Sequence, residues 1–234
     1  MKSKNLIGTT PRRVIASATV PALLALGMVG LPPASAADHP LPASFNGLLN
    51  DYTPPSPTGG PYEMHGKWSL RLHEERGTAT LSAEMTMETA DFANPVLNLD
   101  PTKLNPHTHH LSMTDGVIHN DPTDPINWTT QCPPFKPPVT DGFVVTGTAY
   151  VTGNGGNPPF GNPSPVTICI LGGTQSPSVM GAQAFVEFSN FTLKFGAGSG
   201  ASTHFGTQAI NGVVTRCENP WRQESSSCKV AIVD

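Results

Sequence analysis

The sequence predicts an all-β fold: an antiparallel up-and-down barrel of about eight strands, with a two-sheet β-sandwich as the alternative. Three observations point there. Across residues 78–88, Ala79, Leu81, Ala83, Met85 and Met87 alternate strictly with polar residues. That period of two sorts onto one face of a strand and scatters around a helix. Glycine (23) and proline (25) make up about a fifth of the 234 residues, which suits short strands joined by many turns. No segment makes a convincing amphipathic helix, with i, i+3, i+4 spacing sustained over several turns.

The elements follow in chain order. In residues 67–73, Trp68, Leu70 and Leu72 share one face, and Lys67, Ser69, Arg71 and His73 share the other. Residues 74–77 form a turn, with Gly77 suited to positive φ. The turn leads into strand 78–88, so the two strands make a hairpin. Residues 107–114 form a third strand, and Asp115-Gly116 turns it into 117–119. Residues 120–140 are a proline-rich excursion with Trp128 and Cys132. In 142–152, Phe143, Val145, Gly147, Ala149 and Val151 share a face, and a glycine-rich loop opens at Gly153. Residues 166–171 are apolar enough for burial on both sides. Segment 183–195 has aromatics on both faces, which predicts a bulge or double burial. Residues 205–217 continue as strand, and 229–233 form a short last one. Half-polar strands need closure or a facing sheet. The run of sequential hairpins, with small Gly147 and Ala149 for a tight interior, favours the barrel.

Residues 1–36 have the order of a secretory signal peptide. Lys2, Lys4, Arg12 and Arg13 precede an apolar run over 14–31, and Ala34-Ser35-Ala36 supplies small residues for cleavage. The run, interrupted by Pro21, is too short to favour a permanent span. The expectation is a secreted, extracellular protein cleaved near Ala36, with no membrane span in the mature chain. Residues 37–62 are a proline-rich N-terminal arm that only Phe45, Leu48 and Leu49 could anchor. Residues 63–234 are a single β domain. The whole chain carries 13 Lys+Arg against 17 Asp+Glu; removing the four leader cations leaves nine against seventeen, a net −8. An acidic surface excludes phosphate-backbone binding and so nucleic-acid partners, and it disfavours docking on anionic lipid.

All four cysteines, Cys132, Cys169, Cys217 and Cys228, lie beyond the leader. In an oxidising compartment an even number reads as two disulfides. Cys217 and Cys228 enclose ten residues and would staple a terminal hairpin, leaving Cys132 for Cys169. Two other connectivities stay open.

Chemistry concentrates in Asn105-Pro106-His107-Thr108-His109-His110. On a strand, His107 and His109 point to the same face as Leu111 and Met113, and His110 to the other. Two imidazoles so placed, with Cβ atoms about 6.5–7 Å apart, can share one metal ion. Neutral imidazole suits Zn²⁺ or Cu²⁺ among the transition metals. His204 is the first choice for a third ligand, His119 the second, with His65 and Asp115 behind them. The His-X-His spacing resembles the start of the cupin ligand pattern, but Met113 and Thr114 stand where that pattern has glutamate, so no family is assigned. A mature terminus at Ala37-Asp38-His39 would offer a square-planar Cu²⁺ or Ni²⁺ site. Asp115, Asn120, Asp121 and Asp124 crowd one loop and could offer oxygens to Ca²⁺. Asn127 and Asn190 fit the glycan-acceptor rule. There is no nucleophile elbow and no phosphate-binding glycine loop.

An eight-stranded barrel can also hold one small ligand, with Trp68, Leu70, Met85, Met87 and Phe143 as lining residues. Three functions remain. The leading one is non-catalytic binding of a small molecule or metal ion anchored by His107, His109 and His204. The second is a barrel enzyme, a cyclase, isomerase or metal-dependent oxygenase, using the same histidines as ligands or general base. The third is a non-catalytic surface or matrix interaction module.

Overall fold

The computed structural model describes residues 41–54, 61–89, 106–132, 139–153, 163–175, 185–219, 222–225 and 228–231. The leader, the Ala37-Asp38-His39 motif and most of the glycine-rich loop after Gly153 lie outside the described residues. The elements are β1 (Ser44–Tyr52), β2 (Tyr62–His73), a one-turn 3-10 helix (Glu74–Arg76), β3 (Thr78–Thr89), β4 (His107–His119), α1 (Trp128–Gln131), β5 (Asp141–Thr152), β6 (Ser164–Gln175), β7 (Phe185–Phe195), α2 (Gly200–Phe205), β8 (Ile210–Asn219), β9 (Arg222–Ser225) and β10 (Lys229–Ala231). Each of the first eight strands pairs antiparallel with the next, and β8 returns to β1, closing an eight-stranded barrel. β9 and β10 extend the sheet beyond β8 and β7.

The alternation read from the sequence decides which side chains fill the interior. Trp68, Leu70 and Leu72 of β2 and Ala79, Leu81, Ala83, Met85 and Met87 of β3 all join one apolar core. Between them Gly77 takes φ 63° and returns its N–H to the Glu74 carbonyl at 2.9 Å. The five residues expected to line a ligand cavity all belong to that core and are buried. Trp68 stacks on Phe191 with centroids 4.0 Å apart, and Phe143 packs against Phe45 and Phe188. Clefts of about 480, 510 and 540 Å³ lie on the outer wall, lined largely by outward-facing side chains such as Lys67, Glu84 and Tyr150.

Three local readings change. The stretch expected to be an arm supplies β1, a wall strand paired on both sides. Phe45 and Leu49 face inward while Leu48 is 53% exposed. The alternation was masked by Gly47, whose position faces Trp68. A Cβ there would fall 2.6 Å from Trp68 Cζ2 and 1.9 Å from the Val213 carbonyl oxygen, so only glycine fits. Asp115-Gly116 is no turn: β4 runs through it, with an irregularity in its pairing to β5 between Ser112 and Val117. This shift lets Met113 and Ile118, five residues apart, both meet the core. The bulge expected in the aromatic-rich strand lies where Leu171 pairs with Asn190 and Gly172 with Phe188, leaving Ser189 extra. It turns Phe188 and Phe191 inward together.

The β4–β5 excursion folds back over the outer face of the barrel. Val144, Cys169 and Leu171 form a second small core there, covered by Ile126, Trp128, Cys132 and Val139. The Cys132–Cys169 disulfide ties it down. This explains the doubly apolar segment 166–171. No helix among the described residues is long and apolar enough to cross a membrane.

Candidate metal centre

β4 presents His107 and His109 on its inward face, as the period of two requires, and the start of that strand lies at the barrel end where β5 finishes. The third imidazole comes from the β7–β8 connection. His204 sits in α2, a six-residue helix, rather than at the start of a strand. Ser199 caps α2, accepting the Ser202 N–H at 3.2 Å. Gly198 and Gly206, at φ 80° and 85°, carry the chain into and out of it. Phe205 anchors the helix by stacking on Phe195 at 4.9 Å. The neighbouring His204 thereby points at β4.

The ring nitrogens converge. His204 Nε2 lies 3.1 Å from His109 Nε2 and 3.3 Å from His107 Nε2, and one ring nitrogen from each residue lies within 4.8 Å of the others. Nitrogens on a tetrahedral ion with bonds of about 2.0–2.1 Å stand roughly 3.3 Å apart. The two spacings from His204 therefore match edges of such a polyhedron, and the third nitrogen pair lies within 4.8 Å.

The surroundings fix the tautomer of His109 and the charge of His109 and His204. His109 Nδ1 meets the Thr152 carbonyl oxygen at 3.3 Å. A carbonyl only accepts, so Nδ1 carries the proton and Nε2 keeps its lone pair toward the cluster. His109 is 2% and His204 5% exposed, whereas His107 is half-buried. Burial first, then the neighbouring His204 and His107, pushes the pKa of His109 down to about 4. Burial and then His107 do the same for His204, to about 4. Both rings are neutral at pH 7, the state a metal ligand needs. Tyr62 closes one side, edge-on to His107 at 5.0 Å and tilted over His204 at 5.4 Å. Phe205 closes another, 5.1 Å from His109.

The other candidates sit elsewhere. His110 faces outward beside Glu84, 3.9 Å away. His65 is exposed on the outer wall. His119 lies at the far end of β4, its Nδ1 2.9 Å from Asp124 Oδ2 and its Nε2 2.9 Å from Thr146 Oγ1. That triplet fastens the excursion to the barrel wall. The aspartates considered for calcium are engaged in local turns. Asp121 Oδ1 accepts from Thr123 N and Oγ1, both at 2.7 Å. Asp124 Oδ1 accepts from Ile126 N at 2.8 Å, and Asp115 Oδ2 accepts from Thr114 Oγ1 at 3.0 Å. The Asn127 amide caps α1 and donates to the Asp124 carbonyl at 2.6 Å, so it is committed inside the fold. Tyr62 and Phe205 are site residues that sequence reasoning missed. The pattern Ser199 … Gly206 around a short segment was the available signal for α2, and hence for Phe205.

Fold and site together define a closed antiparallel β-barrel with a buried three-histidine cluster able to hold a metal ion. Comparison with protein-family models, with curated proteins and with solved structures finds no match.

Proposed function

We propose that this protein is an exported metal-binding barrel in which His107, His109 and His204 hold one transition-metal ion, Zn²⁺ or Cu²⁺, through their Nε2 atoms. The observation that carries this reading is the approach of His204 Nε2 to within 3.1 and 3.3 Å of the other two nitrogens. Imidazole nitrogens converging in this way, within 4.8 Å of one another, fit a shared cation. The imidazole character of the set suits Zn²⁺ and Cu²⁺ over Mg²⁺ and Ca²⁺, which take oxygen ligands. The low pKa values separate ligand from general base. Rings neutral down to about pH 4 abstract protons weakly at neutral pH but bind metals readily. Export is supported by the basic–apolar–small order of residues 1–36 and by the Cys132–Cys169 bridge, which suits an oxidising compartment.

Calorimetric titration of the purified chain with Zn²⁺ and Cu²⁺ tests the site. One equivalent should bind, and a His107→Ala/His109→Ala variant should lose a hundredfold or more in affinity. Unchanged uptake in that variant removes the reading. N-terminal sequencing of the secreted protein tests export; a mature chain beginning at Met1 would sink it.

The donor count favours one further reading. Three imidazoles leave a coordination position for water or a substrate atom, as in metal-dependent enzymes. Azide should then alter the visible spectrum of the Co²⁺-loaded protein, and an unaltered spectrum would argue for a closed site.

A further inference from the structure

The barrel closes along an uneven seam. The β2–β3 ladder runs the full length of both strands, from Tyr62↔Thr89 to His73↔Thr78. The β7–β8 ladder runs only from Asn190↔Val213 to Leu193↔Ile210. Away from the histidine cluster the two strands take different partners. Residues 185–187 of β7 pair with β10, from Phe185↔Ala231 to Glu187↔Lys229. Cys217 of β8 pairs with Ser225 of β9. The free edges of the ten-stranded sheet, β10 and β9, thus fall on either side of the parting.

Two thiols face each other across this gap. Cys217 is buried on the inner side of β8, opposite Phe45 of β1. Cys228 is buried just before β10, where its carbonyl accepts the Phe188 N–H at 3.0 Å. The thiols hydrogen-bond to one another, which holds Cys217 below the usual thiol range and pushes Cys228 above it. Both are present as free thiols, so the second bridge expected from the sequence is not formed here. Their position also differs from the expected one. A bond between them would join the β8 arm to the β7 arm through β10, rather than merely pinch a terminal hairpin.

We propose that Cys217 and Cys228 are the site of a second intramolecular disulfide, one that closes the barrel covalently where its backbone seam opens. Two thiols lose two protons and two electrons, and one S–S bond forms. A disulfide oxidant, whether a small dithiol pair or a protein oxidoreductase, is cleaved to two thiols. The thiols already hydrogen-bond to one another, and both belong to the apolar core. Once formed, the bond is shielded from exchange with external thiolates and acts as a structural link. It holds the lower half of the β7–β8 hairpin, the hairpin whose loop carries α2.

The test uses the full chain purified from an exporting host. Denatured without reductant, alkylated and digested, it should show Cys217 and Cys228 unmodified and in one linked peptide pair. Full alkylation of both, with Cys132–Cys169 still linked, would overturn the proposal, as would a linkage of either to Cys132 or Cys169. The closing role is read from a Cys217→Ser/Cys228→Ser variant that keeps the other bridge. It should melt roughly 5–10 °C lower than the oxidised protein, with faster amide exchange in residues 185–187 and 229–231 and unchanged exchange in β2 and β3. Equal melting temperatures and equal exchange would show that the bond does not close the seam. The peptide mapping on the native chain stands whether or not the variant folds.

Discussion

At one end of the barrel three imidazoles face one another beneath α2. Toward the other, Cys132 is bonded to Cys169 and the thiols of Cys217 and Cys228 meet at the parted seam. The two regions have opposite energetic character. The histidine end gathers imidazoles that resist protonation because of burial and of one another, a perturbation of the kind found where a ligand is to be bound. The cysteine end gathers covalent and capping interactions that restrict the unfolded chain or complete backbone hydrogen bonds. A barrel strengthened at one end can carry an unfavourable cluster at the other, and each end can then be perturbed without the other.

The largest expected effect tests that independence from the cysteine side. Replacing both partners of the Cys132–Cys169 bridge, which spans a separation of 37 residues, by alanine should cost about 3–4 kcal/mol. Thermal melting should fall by roughly 8–14 °C. Zn²⁺ affinity of the folded variant should stay within a factor of about three of the parent, since the bridge lies on the outer face of β6 and not among the imidazoles. A loss of affinity in step with stability would show that the two ends are one cooperative unit.

The second effect comes from the histidine side. His109 and His204 titrate near 4 in the folded protein and near 6.5 when unfolded. Between those values the unfolded chain binds more protons, so stability rises with pH. The contribution is complete above about pH 6.5, is lost as pH falls toward 4, and changes no further below that. Each ring accounts for at most about 3 kcal/mol. Urea midpoints of the metal-free protein at pH 7 and pH 4.5 should show the drop, and a His109→Leu/His204→Leu variant should flatten it. Asp121 and Asp124 also sit below the usual carboxylate range, held by Thr123 and by His119 respectively. Their contribution is present above their unfolded value of 3.8 and is lost only below it, so the two windows do not overlap. An equal slope in the variant would mean the rings are not the source.

How much of this the sequence revealed depends on the range of the interaction concerned. Alternation over 78–88 fixes β3 because each residue's facing depends only on its neighbours. The same logic puts His107 and His109 on one inward face. β1 was hidden for two reasons: Gly47 exists for Trp68 across the ladder, a tertiary signal, and the flanking prolines resemble a linker. The inward turn of both Phe188 and Phe191 needs the bulge at Ser189, whose exact register no local pattern fixes. His204 could be nominated by residue type, yet its position depends on a helix capped by Ser199 and ended near Gly206. The link between His119 and Asp124 depends on how the excursion folds back, and neither periodicity nor composition carries that information.

The smallest effect refines the contrast within the cysteine end itself. Asn127 closes α1 with a reciprocal cap. Its Oδ1 accepts from Thr129 N at 3.0 Å and Thr130 N at 3.2 Å, while Thr130 Oγ1 accepts the Asn127 N–H at 3.2 Å. Its Nδ2 donates to the Asp124 carbonyl at 2.6 Å, in the same turn whose carboxylate holds His119. Asn127→Ala removes the side-chain bonds, keeps the backbone N–H to Thr130 Oγ1, and leaves Cys132, one residue past the helix, bonded to Cys169. The expected cost is about 1 kcal/mol, within the usual range for a lost cap, and a fall in melting temperature of roughly 2–4 °C. Asn127→Asp keeps the acceptor and should recover most of it. In the double background with both cysteines replaced, the same substitution should cost less, because the helix it caps is no longer pressed against Val144 and Leu171. Strict additivity would show that the cap and the bridge stabilise the excursion independently.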